Sequence, residues 1–72
     1  MEYVEVRFKT TRPVYIDGVE DGPTNTILRV GAGTHSFDLG LPKDYRPEEI
    51  VRQISGTNSL SPEIIEFEEV TL

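Results

Sequence analysis

Short stretches of alternating hydrophobic and polar residues recur along the chain, and alternation with a period of two predicts β-strands. The clearest stretches are residues 2–10 and 34–39. One face of each stretch carries Val4, Val6 and Phe8, and His35, Phe37 and Leu39, respectively. Both patterns are typical of a strand with one face in the core and the other in solvent.

Three further strands are predicted from shorter patterns. The first of them places Val14 and Ile16 inward and Tyr15 outward. The second covers residues 24–30, with Thr26, Leu28 and Val30 on one face, and the third covers residues 64–72, with Ile65 and Phe67 inward. After Phe67 the apolar positions Val70 and Leu72 change phase, which predicts a bulge near Glu68 and Glu69 or a frayed end.

Turn-forming residues separate these strands. Residues 17–23 are predicted to form a turn throughout, because Asp17 and Gly18 tolerate positive φ and Pro23 fixes φ at about −65°. Residues 31–33, Gly-Ala-Gly, form a second tight connection.

Residues 40–47 contain one glycine and two prolines, which predicts a loop. We expect this loop to tuck its two large side chains, Leu41 and Tyr45, under the sheet.

Residues 48–55 fit two structures. Ile50, Val51 and Ile54 have the spacing of a helix face, and Pro47 suits the first turn of a helix. As a strand, the same segment places Ile50 and Ile54 on one side and Val51 on the other. A run this short does not distinguish the two by its pattern alone.

The spacing of the strands predicts the fold class. Short strands recur about every ten residues between Gly, Pro and Asn turns, which favours an all-β domain. We expect a small sandwich or open barrel of six to seven short, mainly antiparallel strands. Residues 1–72 are expected to form one domain.

Composition narrows the classes of partner. The 72 residues include no cysteine, so neither a disulfide framework nor a thiolate metal site is available. The formal charge of −6 disfavours nucleic acid and anionic membrane surfaces. No spanning segment is present, and no signal region follows Met1, so a cytoplasmic location is expected unless the domain is excised from a longer exported protein.

The turn motifs resemble those of the PEGA domain family over about residues 12–67. Residues 14–18 match the family's strand that ends in Asp-Gly, and residues 33–37 match its Gly-x-His-x-aromatic strand start. Residues 22–24, Tyr45 and Gly56 fall at further turn positions of the family. The resemblance implies a β-sandwich accessory module without catalytic residues, and it implies a strand over residues 48–55.

Three groups of polar residues could serve chemistry, and the pattern of each favours a structural role. Residues 17–28 lack two of the side chains that an EF-hand calcium loop requires, so a solvated turn is expected. His35 has no nucleophile on its own face, and we expect it at the end of the core with a ring nitrogen against a carbonyl. The acids Glu63, Glu66, Glu68 and Glu69 are expected to form a charged edge that opposes aggregation. No enzymatic activity, cofactor or metal is predicted.

The predicted function is recognition of a protein partner through a sheet face or an edge strand. The candidate binding residues are those predicted to point outward, namely Tyr3, Arg7, Tyr15 and Arg29. If their strands are neighbours, Tyr3 and Tyr15 would form an aromatic patch. The alternative is a carbohydrate-binding module for cell-envelope glycans, a possible polysaccharide partner suggested by the tyrosines and by the PEGA resemblance.

Overall fold

The computed structural model describes residues 1–70, which form nine short strands and no helix. The strands are β1 (Glu2–Arg7), β2 (Pro13–Ile16), β3 (Val19–Pro23), β4 (Ile27–Val30), β5 (Gly33–Asp38), β6 (Tyr45–Arg46), β7 (Ile50–Ile54), β8 (Glu63–Glu66) and β9 (Glu68–Glu69). The all-β prediction is confirmed. The predicted count of six to seven strands is too low, because β3, β6 and β9 carry no alternating apolar pattern.

Two sheets face each other across one core. Sheet I has the strand order β4-β1-β8, and sheet II has the order β3-β2-β5-β7. A two-stranded sheet, β6-β9, lies apart from these ladders. All pairings are antiparallel except that of β1 with β8, and the described strands form no closed barrel.

The core contains the apolar faces predicted from the alternation. Val4, Val6 and Val14 are fully buried, as are Phe37 and Leu39. The remaining members are Phe8, Ile16, Leu28, Val30, Tyr45, Ile54, Ile65 and Phe67. Because β1 and β2 contribute to this core from different sheets, their outward residues lie on opposite sides of the molecule.

The predicted turn over residues 17–23 is shorter than expected. Asp17 (φ 54°) and Gly18 (φ 83°) form a two-residue hairpin turn with positive φ at both positions, the geometry that suits twisted strands. The chain then continues as strand β3 (Val19–Pro23), which pairs with β2. β3 is almost wholly exposed, so no hydrophobic alternation marks it in the sequence.

The predicted strand over residues 24–30 begins later, at Ile27, because Thr24 and Asn25 hold the crossover between the sheets. The buried Thr24 hydroxyl donates to the Thr10 carbonyl at 2.8 Å and accepts the Arg12 N–H at 2.9 Å. Asn25, at φ 63°, uses its amide to bond the N–H and carbonyl of Phe8, at 3.2 and 2.9 Å. These side chains replace backbone partners that a continuous strand would have supplied.

The loop after β5 buries only one of its two predicted anchors. Tyr45 is 3% exposed, whereas Leu41 is 81% exposed, so the prediction for Leu41 is wrong. The Tyr45 ring packs edge-on against Phe8 and Phe67, with centroid distances of 6.4 and 5.3 Å. This three-ring stack fills the space under the loop.

Residues 48–55 contain a strand, β7, and the helical interpretation is wrong. Ile54 is fully buried, Ile50 is half-buried and Val51 is exposed, as the strand alternative predicted. The predicted phase change after Phe67 coincides with the break between β8 and β9. Leu72 lies outside the described residues.

Candidate functional site

Tyr3, Arg7 and Arg29 lie on the outward face of sheet I. Tyr3 and Arg29 are register partners in the β1–β4 ladder, so they are neighbours on that face. Arg7 lies two rows away, with its Nε 3.4 Å from the Glu5 carboxylate. The structure therefore brings Tyr3 and Arg29 together and keeps Arg7 on the same face.

Tyr15 lies on the outward face of sheet II, away from the other three residues. Its ring packs on Gly40, where an added Cβ would come within 2.5 Å of the Tyr15 Cε1 atom. The expected patch of Tyr3 and Tyr15 does not form, because β1 and β2 are not neighbours in one sheet. With Tyr45 buried, the three tyrosines share no surface platform.

The two facing sheets have four edge strands, and these differ in how well they are protected. β3 contains Glu20, Asp21, Gly22 and Pro23, which are features that block the addition of another strand. β8 begins and ends with glutamate. β4 carries an exposed cation, Arg29. Only β7 among the four has no proline, no glycine and no outward-pointing charge.

The backbone groups of β7 that point to solvent follow from the contacts of β5. The Ser36 carbonyl accepts the Asp17 N–H at 2.9 Å, and the Ser36 N–H donates to the Asp17 carboxylate at 2.9 Å. Both backbone groups of Ser36 thus point toward β2, and those of Thr34 do the same by the alternation of strand backbones. Val51 and Gln53, their register partners on β7, therefore direct their own N–H and carbonyl groups away from β5.

No described residue bonds these outer groups of Val51 and Gln53, and both side chains are exposed. The Val51 side chain is 61% exposed and lies across from Ser36, while Gln53 lies across from Thr34. These two residues of β7 and their register partners on β5 are all uncharged, in a chain of net charge −6. The one charged residue of β7, Arg52, lies on the opposite face of the strand from Val51 and Gln53. Its guanidinium donates to the Glu63 carboxylate at 2.7 Å.

β4 has a similar free edge with a cation on it. The Tyr3 N–H donates to the Thr57 hydroxyl at 2.7 Å and so points away from β4. The pairs of Tyr3 with Arg29 and of Glu5 with Ile27 are therefore not hydrogen-bonded, and Arg29 and Ile27 direct their backbone groups outward. The exposed Arg29 side chain is the kind of charge that discourages edge-to-edge pairing.

His35 joins two connections at one end of sheet II. Its Nδ1 lies 2.6 Å from Asp17 Oδ2, and its Nε2 lies 2.7 Å from the Gly31 carbonyl. The contact with a carbonyl was expected from the sequence, whereas the partnership with Asp17 was not. Hydrogen bonding to Asp17 raises the pKa of His35, and bonding to His35 lowers the pKa of Asp17. We call His35, Asp17, Gly31 and Ser36 the His35 cluster.

Arg12 holds the loop at the opposite end of sheet II, a role that the sequence did not reveal. Its guanidinium donates to Asp44 at 2.6 Å and to the carbonyls of Pro42 and Leu39 at 2.8 and 3.3 Å. It also lies over the Tyr45 ring at 5.6 Å. We call Arg12, Asp44, Tyr45, Leu39 and Pro42 the Arg12 cluster.

Three of the four acidic residues near the C-terminus form ion pairs. Glu63 pairs with Arg52, Glu68 with Arg46 at 3.3 Å and Glu69 with Lys9 at 2.9 Å. Glu63 and Glu66 lie on the edge strand β8. An open depression of about 510 Å³ is lined by Arg46, Pro47, Glu66 and Glu68.

The Asp17 carboxylate has both oxygens engaged, by Ser36 and His35, which agrees with a turn rather than a calcium loop. Within residues 1–70, no three His, Asp or Glu side chains cluster as metal ligands. No helix of the described chain is long and apolar enough to cross a membrane.

Comparison with known proteins gives no match to any protein-family model, curated protein or solved structure. The PEGA resemblance therefore remains a prediction that rests on the turn motifs.

Proposed function

We propose that the protein is a non-catalytic interaction module that binds an extended segment of a protein partner along the edge of β7. The observation that carries this proposal is the unpaired backbone of Val51 and Gln53. An added strand would pair with two N–H and two carbonyl groups, as in β-augmentation. Sheet II would then grow from four strands to five.

Main-chain hydrogen bonds alone would not give stable binding of a partner strand, so side-chain contacts are needed as well. Each new hydrogen bond contributes about 0.5–1.5 kcal/mol net, and association has its own entropic cost. The exposed Val51 side chain supplies apolar area beside the edge. Residues of the partner on the outward face would contact Val51 and Gln53, which are both uncharged, and this sets a preference for uncharged side chains there.

The face of sheet I, with Tyr3, Arg7 and Arg29, is the other surface that the sequence suggested. Arg29 and Arg7 expose charge to solvent, so this face would select a partner by charge rather than by strand pairing. Carbohydrate binding through stacked tyrosines draws no support from the arrangement, because Tyr3 and Tyr15 lie on opposite faces. An accessory role of the PEGA kind agrees with the proposal.

The test begins with ten-residue peptides selected from a random phage-displayed library against the full chain. A selected synthetic peptide is titrated into ¹⁵N-labelled protein. We expect the largest shifts, and new protection from hydrogen exchange, at the amides of Val51 and Gln53.

Val51→Pro is the decisive variant, since it removes an outward N–H and no bond of the β5–β7 ladder. It should weaken peptide binding at least tenfold, equivalent to about 1.4 kcal/mol. Arg29→Pro is the matched control, because it removes an outward N–H from β4 and should leave the affinity unchanged. Equal affinity for wild type and Val51→Pro, with shifts at Tyr3, Arg7 and Arg29, would move the site to sheet I and overturn the proposal.

A further inference from the structure

His35 lies between two groups that accept hydrogen bonds. The Asp17 carboxylate faces Nδ1 at 2.6 Å, and the Gly31 carbonyl faces Nε2 at 2.7 Å. A neutral imidazole carries one N–H, so one of its nitrogens would direct a lone pair at an oxygen. The imidazolium carries two N–H groups and satisfies both partners.

The Asp17 acceptor is fixed in place, so it cannot turn away when the ring loses a proton. The Asp17 N–H donates to the Ser36 carbonyl, and the Asp17 Oδ1 accepts the Ser36 N–H, each at 2.9 Å. Gly31 follows β4 directly, and Gly33 begins β5 with φ 131°. The His35 side chain is 18% exposed, which leaves little room for water to replace a lost partner.

The other charges around the ring are balanced. Arg52 is the register partner of His35 on β7 and would oppose a second positive charge, but it is bound to Glu63 at 2.7 Å. On β1 of the facing sheet, the Glu2 carboxylate accepts bonds from Thr57. The Phe37 ring, 6.4 Å from the imidazole, is uncharged. Asp17 is therefore the charge that governs the ring.

We propose that the His35 cluster is a proton-dependent latch between the β2–β3 turn and the β4–β5 connection. With His35 protonated, the ring bonds both segments. Loss of the proton breaks one of the two bonds and releases the Gly31–Ala32 segment from the turn. The raised pKa of His35 and the lowered pKa of Asp17 agree with a closed latch on the acidic side of the transition.

NMR titration of the full chain between pH 5 and 9 tests the latch. Long-range ¹H–¹⁵N spectra report the protonation of each His35 ring nitrogen, and amide spectra report Gly18, Gly31 and Ala32. We expect both nitrogens to be protonated below the midpoint, and the midpoint to lie above the ordinary value of 6.5. The amide shifts should follow the same midpoint, and exchange at Gly31 and Ala32 should accelerate above it.

Asp17→Asn is the matched variant, since asparagine tolerates positive φ and keeps an oxygen for the Ser36 N–H. This substitution should lower the midpoint of the His35 ring titration. The chemical shift of the Gly31 amide should then no longer follow that titration. A wild-type midpoint at or below 6.5, or a Gly31 amide that ignores the ring titration, would overturn the latch. These two readouts use wild-type protein, so they decide the question even if the variant does not fold.

Discussion

The two ends of sheet II are held by polar clusters of different chemistry. At one end the Arg12 guanidinium bonds one carboxylate and two backbone carbonyls, and its side chain is 12% exposed. At the other end the His35 ring bonds one carboxylate and one carbonyl. In each cluster a side chain that is positively charged when protonated attaches a loop or connection to the sheet. All of its hydrogen bonds go to oxygen acceptors.

The difference lies in whether the cation can lose its proton. Arginine stays charged at every pH at which the protein is folded, whereas histidine changes charge near neutrality. The loop that Arg12 binds is therefore held at every such pH, while the Gly31 connection depends on pH. A sandwich of this size thus has one permanent and one conditional attachment at the ends of the same sheet.

The largest expected effect is that of removing the permanent attachment. Arg12→Ala deletes three donors and the cation–π contact with Tyr45, leaving Asp44 and two carbonyls without this partner. We expect the free energy of unfolding to fall by about 2–3 kcal/mol. Denaturant unfolding measures the loss, and Arg46→Ala is the control. Arg46 forms an exposed pair with Glu68, so its loss should change stability by less than about 0.5 kcal/mol. Equal effects of the two variants would contradict a special role for Arg12.

A smaller effect is expected from Tyr45→Phe, which keeps the aromatic stack and removes one hydroxyl. That hydroxyl accepts the Leu39 N–H at 3.2 Å and donates to the Gly40 carbonyl at 2.9 Å. Leaving the buried Leu39 N–H unpaired should lower stability by about 1–2 kcal/mol. Calorimetry at pH 5 and pH 8 should give the same loss, and a loss that changes with pH would link this end of the sheet to a titrating group.

At the conditional end, the effect of Asp17→Asn should depend on pH. Because the pKa of folded His35 is raised above 6.5, its stabilising contribution is complete below that value and is lost as pH rises through the folded pKa. Because the pKa of folded Asp17 is lowered below 3.8, its contribution is present above that value and is lost as pH falls through the folded pKa.

The stability difference between wild type and Asp17→Asn should accordingly be greatest between pH 3.8 and 6.5 and should decline on the alkaline side. Urea unfolding at a series of pH values measures it. His35→Gln should remove the alkaline decline, and a difference that is constant with pH would place the role of Asp17 in the turn alone.

The smallest effect is expected at the free edge of sheet II. Val51→Lys changes a side chain that is 61% exposed and that forms none of the hydrogen bonds of either cluster, so the free energy of unfolding should change by less than about 0.5 kcal/mol. In hydrogen-exchange experiments, the wild-type amides of Val51 and Gln53 should exchange quickly and that of Arg52 slowly. Slow exchange at Val51 would show that this edge is already covered.

The strands with alternating residues could be predicted from the sequence, because each apolar position marks a residue that the strand buries and each polar position marks one that it exposes. Val4, Val6 and Phe37 lie where the pattern placed them, and so does the Asp17-Gly18 turn. The sequence predicts a turn where β3 lies, since an exposed edge strand of Glu, Asp, Gly and Pro has no apolar face to detect.

The order of strands within the sheets is a property of long-range pairing and was not predictable from local pattern. Tyr3 and Tyr15 alternate alike, yet they lie on opposite faces because β1 and β2 belong to different sheets. The free edge of β7 could not be predicted for the same reason, since it depends on the order of the strands in sheet II. Arg12 acts on a loop about 30 residues away, a contact for which no periodicity exists.

The parallel pairing of β1 with β8 has a consequence for how the chain reaches its folded state. β1 is the central strand of sheet I, and its neighbours β4 and β8 come from residues 27–30 and 63–66. Until β8 has been synthesised, one edge of β1 has no partner, and Glu5 and Arg7 cannot complete their ladder. When strands that are far apart in the sequence must pair, the chain loses the entropy of loop closure before it gains the stabilising contacts. Folding in about milliseconds to seconds is therefore expected. A nascent chain that ends before residue 63 would expose the β1 edge, so the pairing of β8 with β1 is the step that completes sheet I.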